Sequence, residues 1–171
     1  MKSKTTILVI VISVILSGMI FFGNKYYQKY LNDQADVIIM KNASIEDIDL
    51  ESKKINIYVF WGDGCPHCEE LFQFLESIRS KYGKYYNVYG FEVWYDEENG
   101  ELMDKFKEEF GETPGSRGVP YFIVGDEAFV GYQRNINREI RKTIVSKYKD
   151  RKKVKKFEDI FNKKEEEEIN K

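Results

Sequence analysis

Read along the chain, the apolar positions fall into one long block and a series of short ones. Thr5–Asn24 is a run of 20 residues without a charge, and Ile7–Ile12 within it is wholly aliphatic. At about 1.5 Å per residue, a helix of that length reaches roughly 30 Å, the hydrocarbon thickness of a bilayer. Lys2 and Lys4 precede the block, Lys25 and Lys29 follow it, and Tyr26, Tyr27 and Tyr30 supply interfacial aromatics. A single-pass membrane anchor over 5–24 is expected, with 1–4 as a short cytoplasmic end and 25–36 as a tether. Counting the amino terminus, three positive charges on the N side against two on the C side favour a C-terminal portion outside the cytoplasm. A cleaved signal peptide is the competing reading, but its apolar core spans about 7–15 residues and ends in small residues. Phe21-Phe22-Gly23 places bulk where a small residue is wanted, and Met19 stands where a lipoprotein signal beginning Leu16-Ser17-Gly18 would need cysteine.

The shorter blocks alternate between two periods. Val37–Met40 suits an edge strand, and Ser44 with Asp47 gives a capping signal for a short helix through Leu50. Ile55–Trp61 is β-branched and aromatic and becomes continuously apolar, as a strand buried on both faces does. Pro66 opens a helix with Leu71, Phe74, Leu75, Ile78 and Tyr82 at helical spacing, and Tyr85–Tyr95 is the next strand. Leu102, Met103, Phe106 and Phe110 mark a further helix, ended by Gly111 and Pro114. Tyr121–Val124 and Ala128–Gly131 flank Gly125-Asp126-Glu127 as a hairpin, and Ile136, Ile140, Ile144, Val145 and Tyr148 lie along a last helix. The order β-α-β-α-β-α-β-β-α predicts an α/β fold with a mixed sheet, in one domain over 37–148.

Composition and charge narrow the classes. Hydrophobic residues at 42% and aromatics at 15% are too many for a disordered chain, and a net charge of −2 argues against binding nucleic acid through overall basicity. The extension over 149–171 carries six basic residues and one acid in Lys149–Lys156, then the acidic run Glu165–Glu168. Val154, Phe157, Ile160 and Phe161 suggest a helical extension through Phe161. Such a segment is either a solvated helix end with a frayed tail or a basic stretch drawn to an anionic surface.

The chain has two cysteines, both in Cys65-Pro66-His67-Cys68 between a predicted strand and a predicted helix. A thiol at a helix N-terminus sees unpaired backbone N–H groups and the positive end of the dipole, which favour thiolate over thiol. Two intervening residues let the second sulfur reach the first within one turn. Cys65 is then the more exposed nucleophile, Cys68 the resolving thiol, and His67 a neighbour that adds positive character beside Cys65. A thiolate so stabilised is also a good leaving group, which makes the disulfide an oxidant. Two alternatives stay open. A structural zinc site lacks ligands, with two Cys and one His in the whole chain, and a purely structural disulfide would close too small a loop to stabilise much. Farther on, Val119–Pro120 precedes a strand and is the X-Pro bond beside which a cis form would turn the Val119 backbone groups toward the sulfurs.

Trp61-Gly62-Asp63-Gly64-Cys65-Pro66-His67-Cys68, the strand before it and Gly118-Val119-Pro120 together resemble the thioredoxin superfamily over residues 37–148. Cys-Pro-His-Cys is similar to the redox motif of DsbA-type oxidases, and Arg117–Pro120 to their cis-proline loop. The resemblance implies a thioredoxin-like three-layer fold, exchange through a mixed disulfide and a cis Val119–Pro120 bond. It places Cys65, Pro66, His67 and Cys68 in the catalytic set and Trp61, Val119 and Pro120 against the substrate. The chain also departs from those relatives. Only 51 residues separate Cys68 from Pro120, too few for a large helical insertion, and Val59 stands where many relatives carry a buried carboxylate.

The expected activity is thiol–disulfide exchange on extracytoplasmic protein thiols and disulfides, in the oxidising direction. No cofactor or metal is expected beyond the redox-active cysteine pair. Protein substrates, a membrane redox partner and a monomeric state are expected, without nucleic acid. A membrane-tethered reductase and a non-enzymatic binding module of the same fold are the rivals.

Overall fold

A computed structural model describes residues 12–27, 37–152 and 154. The chain divides into two units, Met1–Asp36 and Val37–Lys171. In the first, residues 12–27 form helix α1, which runs past the predicted end at Asn24 to Tyr27. Among the described residues no helix is long and apolar enough to cross a membrane. Residues 5–11 of the predicted anchor and 28–36 of the tether lie outside the described residues.

The second unit is built on a five-stranded sheet of order β1-β3-β2-β4-β5, with β1 Ile39–Met40, β2 Ile55–Trp61, β3 Tyr86–Glu92, β4 Tyr121–Val124 and β5 Glu127–Val130. β1 and β2 pair parallel to β3, whereas β4 pairs antiparallel to both β2 and β5, so the sheet is mixed. β2 shows why its sequence is continuously apolar. Ile55, Ile57, Val59 and Trp61 join one core while Tyr58 and Phe60 join the other. The first core is closed by Leu71, Phe72, Phe74 and Leu75 of α2 (Pro66–Ser77) and by Ile140 and Ile144 of α5 (Asn137–Lys149). Leu102, Met103 and Phe106 of α4 (Glu97–Glu109) close the second, where Phe60 stacks on Phe91 and Tyr121. Each fully buried side chain of this size contributes about 1.5–3 kcal/mol, so a strand buried on two faces anchors the whole unit.

Several predicted boundaries move, each for a local reason. The helix expected through Tyr82 breaks at Ile78 (φ −92°, ψ −2°), and a separate turn, α3, spans Arg79–Tyr82. The short helix after Ser44 is a single 3-10 turn at Ile45–Asp47, because the next residue, Ile48, turns into the second core. β3 stops at Glu92 and not Tyr95, since the Glu92 carboxylate accepts the N–H groups of Trp94 at 3.0 Å and Tyr95 at 2.9 Å. α5 ends at Lys149 with a turn after it, and the predicted extension from residue 155 to Phe161 lies outside the described residues.

Candidate active site

β2 delivers the chain to the C-terminal edge of the sheet, where Gly62-Asp63-Gly64 turns it into α2. Gly64 has φ +76°, a conformation that favours glycine, and the turn closes with the Cys65 N–H donating to the Gly62 carbonyl at 3.1 Å. Cys65 is the N-cap of α2 and Pro66 its first residue, where a missing N–H leaves no intrahelical bond unmade. The Cys65 sulfur accepts the backbone N–H of Cys68 at 3.3 Å, and the Cys65 carbonyl accepts the N–H of Glu69 at 3.1 Å. The same Cys68 N–H also donates to the Cys65 carbonyl at 3.2 Å, so this donor of the first helical turn is shared between that carbonyl and the sulfur. The two cysteines are joined in a disulfide with their Cα atoms 5.3 Å apart. Cys65 retains 6% exposure whereas Cys68 has none, so an attacking group reaches the first sulfur and not the second.

The loop before β4 completes the site. The Val119–Pro120 bond is cis, and the Val119 carbonyl oxygen lies 3.9 Å from the Cys65 sulfur. His67 is exposed on the first turn of α2 and, with Val119, Pro120, Val130, Tyr132 and Ile136, lines a shallow depression of about 290 Å³. Cys65, Cys68, Pro66, His67, Val119 and Pro120 therefore come together as the sequence suggests. Trp61 does not join them. It is 4% exposed, its indole N–H donates to the Lys41 carbonyl at 2.8 Å, and its ring packs edge-on against Phe72. Its neighbourhood is the first core, where the alternation along β2 already puts it.

Three residues outside the sequence expectation hold the loop. Asp104 accepts from the Gly115 N–H at 2.7 Å and from the Arg117 guanidinium at 2.8 Å. Lys107, 5% exposed, donates to the Ser116 carbonyl at 2.7 Å, and Trp94 donates to the Arg117 carbonyl at 3.1 Å. Burial pushes the Lys107 ammonium below the usual lysine range, against the pull of Asp104. Among the described residues, no group of three or more His, Cys, Asp or Glu side chains is placed to hold a metal ion.

No protein-family model matches the sequence, and no curated protein matches it. Among solved structures, the chain is similar to a glutaredoxin from Archaeoglobus fulgidus, at 19% identity over 60% of this chain and 99% of that one (TM-score 0.39). It is also similar to an uncharacterized thioredoxin-like protein from Clostridium perfringens, at 22% identity over 67% of this chain and 86% of that one (TM-score 0.39). A mixed sheet with flanking helices fits a thioredoxin-like fold. With a Cys-X-X-Cys disulfide at the start of α2, that fold supports thiol–disulfide exchange as its general chemistry.

Proposed function

We propose that the protein oxidises pairs of cysteine thiols in extracytoplasmic polypeptides. A substrate thiolate attacks the Cys65 sulfur, the Cys65–Cys68 bond breaks, and the electron pair leaves on Cys68. The second substrate thiolate then attacks the substrate sulfur of the mixed disulfide and releases Cys65 as thiolate. The substrate gains a disulfide and loses two electrons and two protons, and the pair Cys65/Cys68 gains the electrons. A membrane redox partner takes up those electrons and restores the disulfide.

One observation carries the reading: the accessible sulfur caps a helix and receives its backbone N–H, while its partner sulfur is fully buried. That donor, together with the helix dipole, favours the Cys65 thiolate, which makes Cys65 a good leaving group and its disulfide electron-poor. Val119 supports polypeptide substrates, because its carbonyl beside the sulfur can pair with an extended backbone. His67 meets the incoming chain at the rim of the depression. The 20-residue uncharged run supports anchoring in a membrane.

Trapping with Cys68→Ser tests the proposal. In this variant Cys65 has no partner sulfur, so its thiolate attacks disulfides already formed in the substrates, displacing a substrate thiolate. Without Cys68 to complete the reverse exchange, the mixed disulfides should accumulate as adducts on non-reducing gels. The double variant Cys65→Ser/Cys68→Ser should show none. Equal adducts in both, or none in either, refute exchange through Cys65. A redox potential at or below that of thioredoxin, about −270 mV, would turn the direction to reduction.

A further inference from the structure

Cys65 and Val119 lie on different loops, 54 residues apart in sequence, and each loop touches Trp94. On one side the Trp94 ring occupies the space above Gly62, where any Cβ would overlap the indole. On the other side the indole N–H donates to the Arg117 carbonyl at 3.1 Å, two residues before Val119. The ring is thereby a spacer between the turn that carries Cys65 and the loop that carries the cis-proline. It is itself fixed from behind. Glu92 accepts the Trp94 N–H at 3.0 Å and, through the same oxygen, the Asp63 N–H at 3.2 Å. The Val93 N–H donates to the Trp61 carbonyl at 2.9 Å, which ties the base of the spacer to the end of β2.

Nothing in the packing of the cores requires this tryptophan. It is 46% exposed, on a segment where a strand has already ended. Asp104 and Lys107 hold the cis-proline loop from the side of α4, whereas the two contacts of Trp94 link that loop to the turn that carries Cys65. The geometry points to Trp94 as a positioning residue for polypeptide substrates, one that holds the cis-proline loop in register with the nucleophilic sulfur. The inference rests on the exchange chemistry proposed above. It separates two kinds of substrate. A polypeptide that must pair with the Val119 backbone depends on the spacing, whereas a small reagent that meets only the Cys65 sulfur does not.

Two variants of the full-length chain test it. Trp94→Phe keeps a ring against Gly62 and deletes the indole N–H, and Trp94→Ala removes both contacts. Deleting one neutral hydrogen bond should raise KM for a reduced polypeptide substrate about 5-fold, with kcat held within about 2-fold. Alkylation of reduced Cys65 by iodoacetamide should be unchanged. The second readout is independent of activity: amide hydrogen exchange over residues 115–119 should quicken in Trp94→Phe and more so in Trp94→Ala. Unchanged exchange in Trp94→Phe would overturn the positioning role whatever the enzyme does, as would an equal loss toward polypeptide and iodoacetamide. A wild-type chain inactive on every thiol, but with exchange that quickens as expected, would overturn the exchange chemistry and leave the spacer standing.

Discussion

Asp104 holds two groups of the loop that leads to the cis-proline: the Gly115 N–H on Oδ1 and the Arg117 guanidinium on Oδ2. Burial alone would raise its carboxyl, but the Arg117 and Gly115 hydrogen bonds and the nearby Lys107 charge outweigh it and hold the group below its ordinary 3.8. A carboxyl with a lowered folded-state pKa stabilises the fold fully above its unfolded value, and that stability is lost as pH falls through the folded one. Asp104→Asn should therefore destabilise the domain by about 1–3 kcal/mol at pH 7. The deficit should shrink as pH falls from about 4, the ordinary carboxyl value, through the lower folded-state one, as the wild-type carboxylate takes up its proton. Urea melts of both chains at pH 7 and pH 3 check this, and a deficit equal at both would mean that no charge is involved. The same residues show how far the site was legible. Cys65, Pro66, His67 and Cys68 are adjacent, and their chemistry needs only a helix start, while Pro120 is identified by its ring. Asp104, Lys107 and Trp94 act on backbone atoms 9 to 23 residues away, a relation that no local pattern encodes. Trp61 attracted a substrate role by standing beside the motif, yet the two-residue period of its own strand places it with Ile57 and Val59.

At the scale of elements, β3 carries a close approach of backbone to backbone. Gly90 pairs with Val59 at the centre of the sheet, and an added Cβ there would meet the Lys41 carbonyl and lie 2.8 Å from Phe72 Cζ. The phenyl tip of Phe72 can shift, but the Lys41 carbonyl belongs to the turn after β1 and cannot move without the edge strand. Gly90→Ala should destabilise by about 1–3 kcal/mol, as overpacking of a filled core does. Thermal melts would show this as a drop of several degrees, and a melting temperature unchanged within a degree would refute the close approach. Strand and helix identities were readable because period and β-branching agree with burial: β2, β4, α2, α4 and α5 stand where the pattern puts them. Their ends were less readable, since local side-chain contacts decide them. The Glu92 carboxylate ends β3 three residues early, and Ser77 Oγ donates to the Phe74 carbonyl at 2.7 Å beside the break at Ile78. Asp96 caps α4 by accepting the Asn99 N–H at 2.9 Å, which starts that helix well before its first apolar pair.

For the whole molecule, the two ends of the chain present opposite surfaces. Among the described residues from Val37 onward most apolar side chains are gathered into two cores, whereas α1 exposes Val14 at 63%, Met19 at 66%, Ile20 at 71% and Phe22 at 71%. An apolar helix in water forgoes about 25 cal/mol for each Å² left uncovered, so covering these side chains stabilises the segment. A bilayer would supply that cover, and the uncharged run Thr5–Asn24 with its flanking lysines and tyrosines suits a hydrocarbon layer and its two interfaces. The full chain should then sediment with membranes and resist extraction by alkaline carbonate, with the cysteine domain open to protease added outside intact cells. Ile12→Lys with Leu16→Lys should release it, because each lysine near the middle of a span costs about 2.5–3.5 kcal/mol. The comparison has a built-in control, since the substitutions lie outside the unit that holds Cys65 and should leave its thiol chemistry intact. Recovery of the wild-type chain in the soluble fraction, or loss of Cys65 reactivity together with membrane binding, would refute the separation of anchor from redox domain.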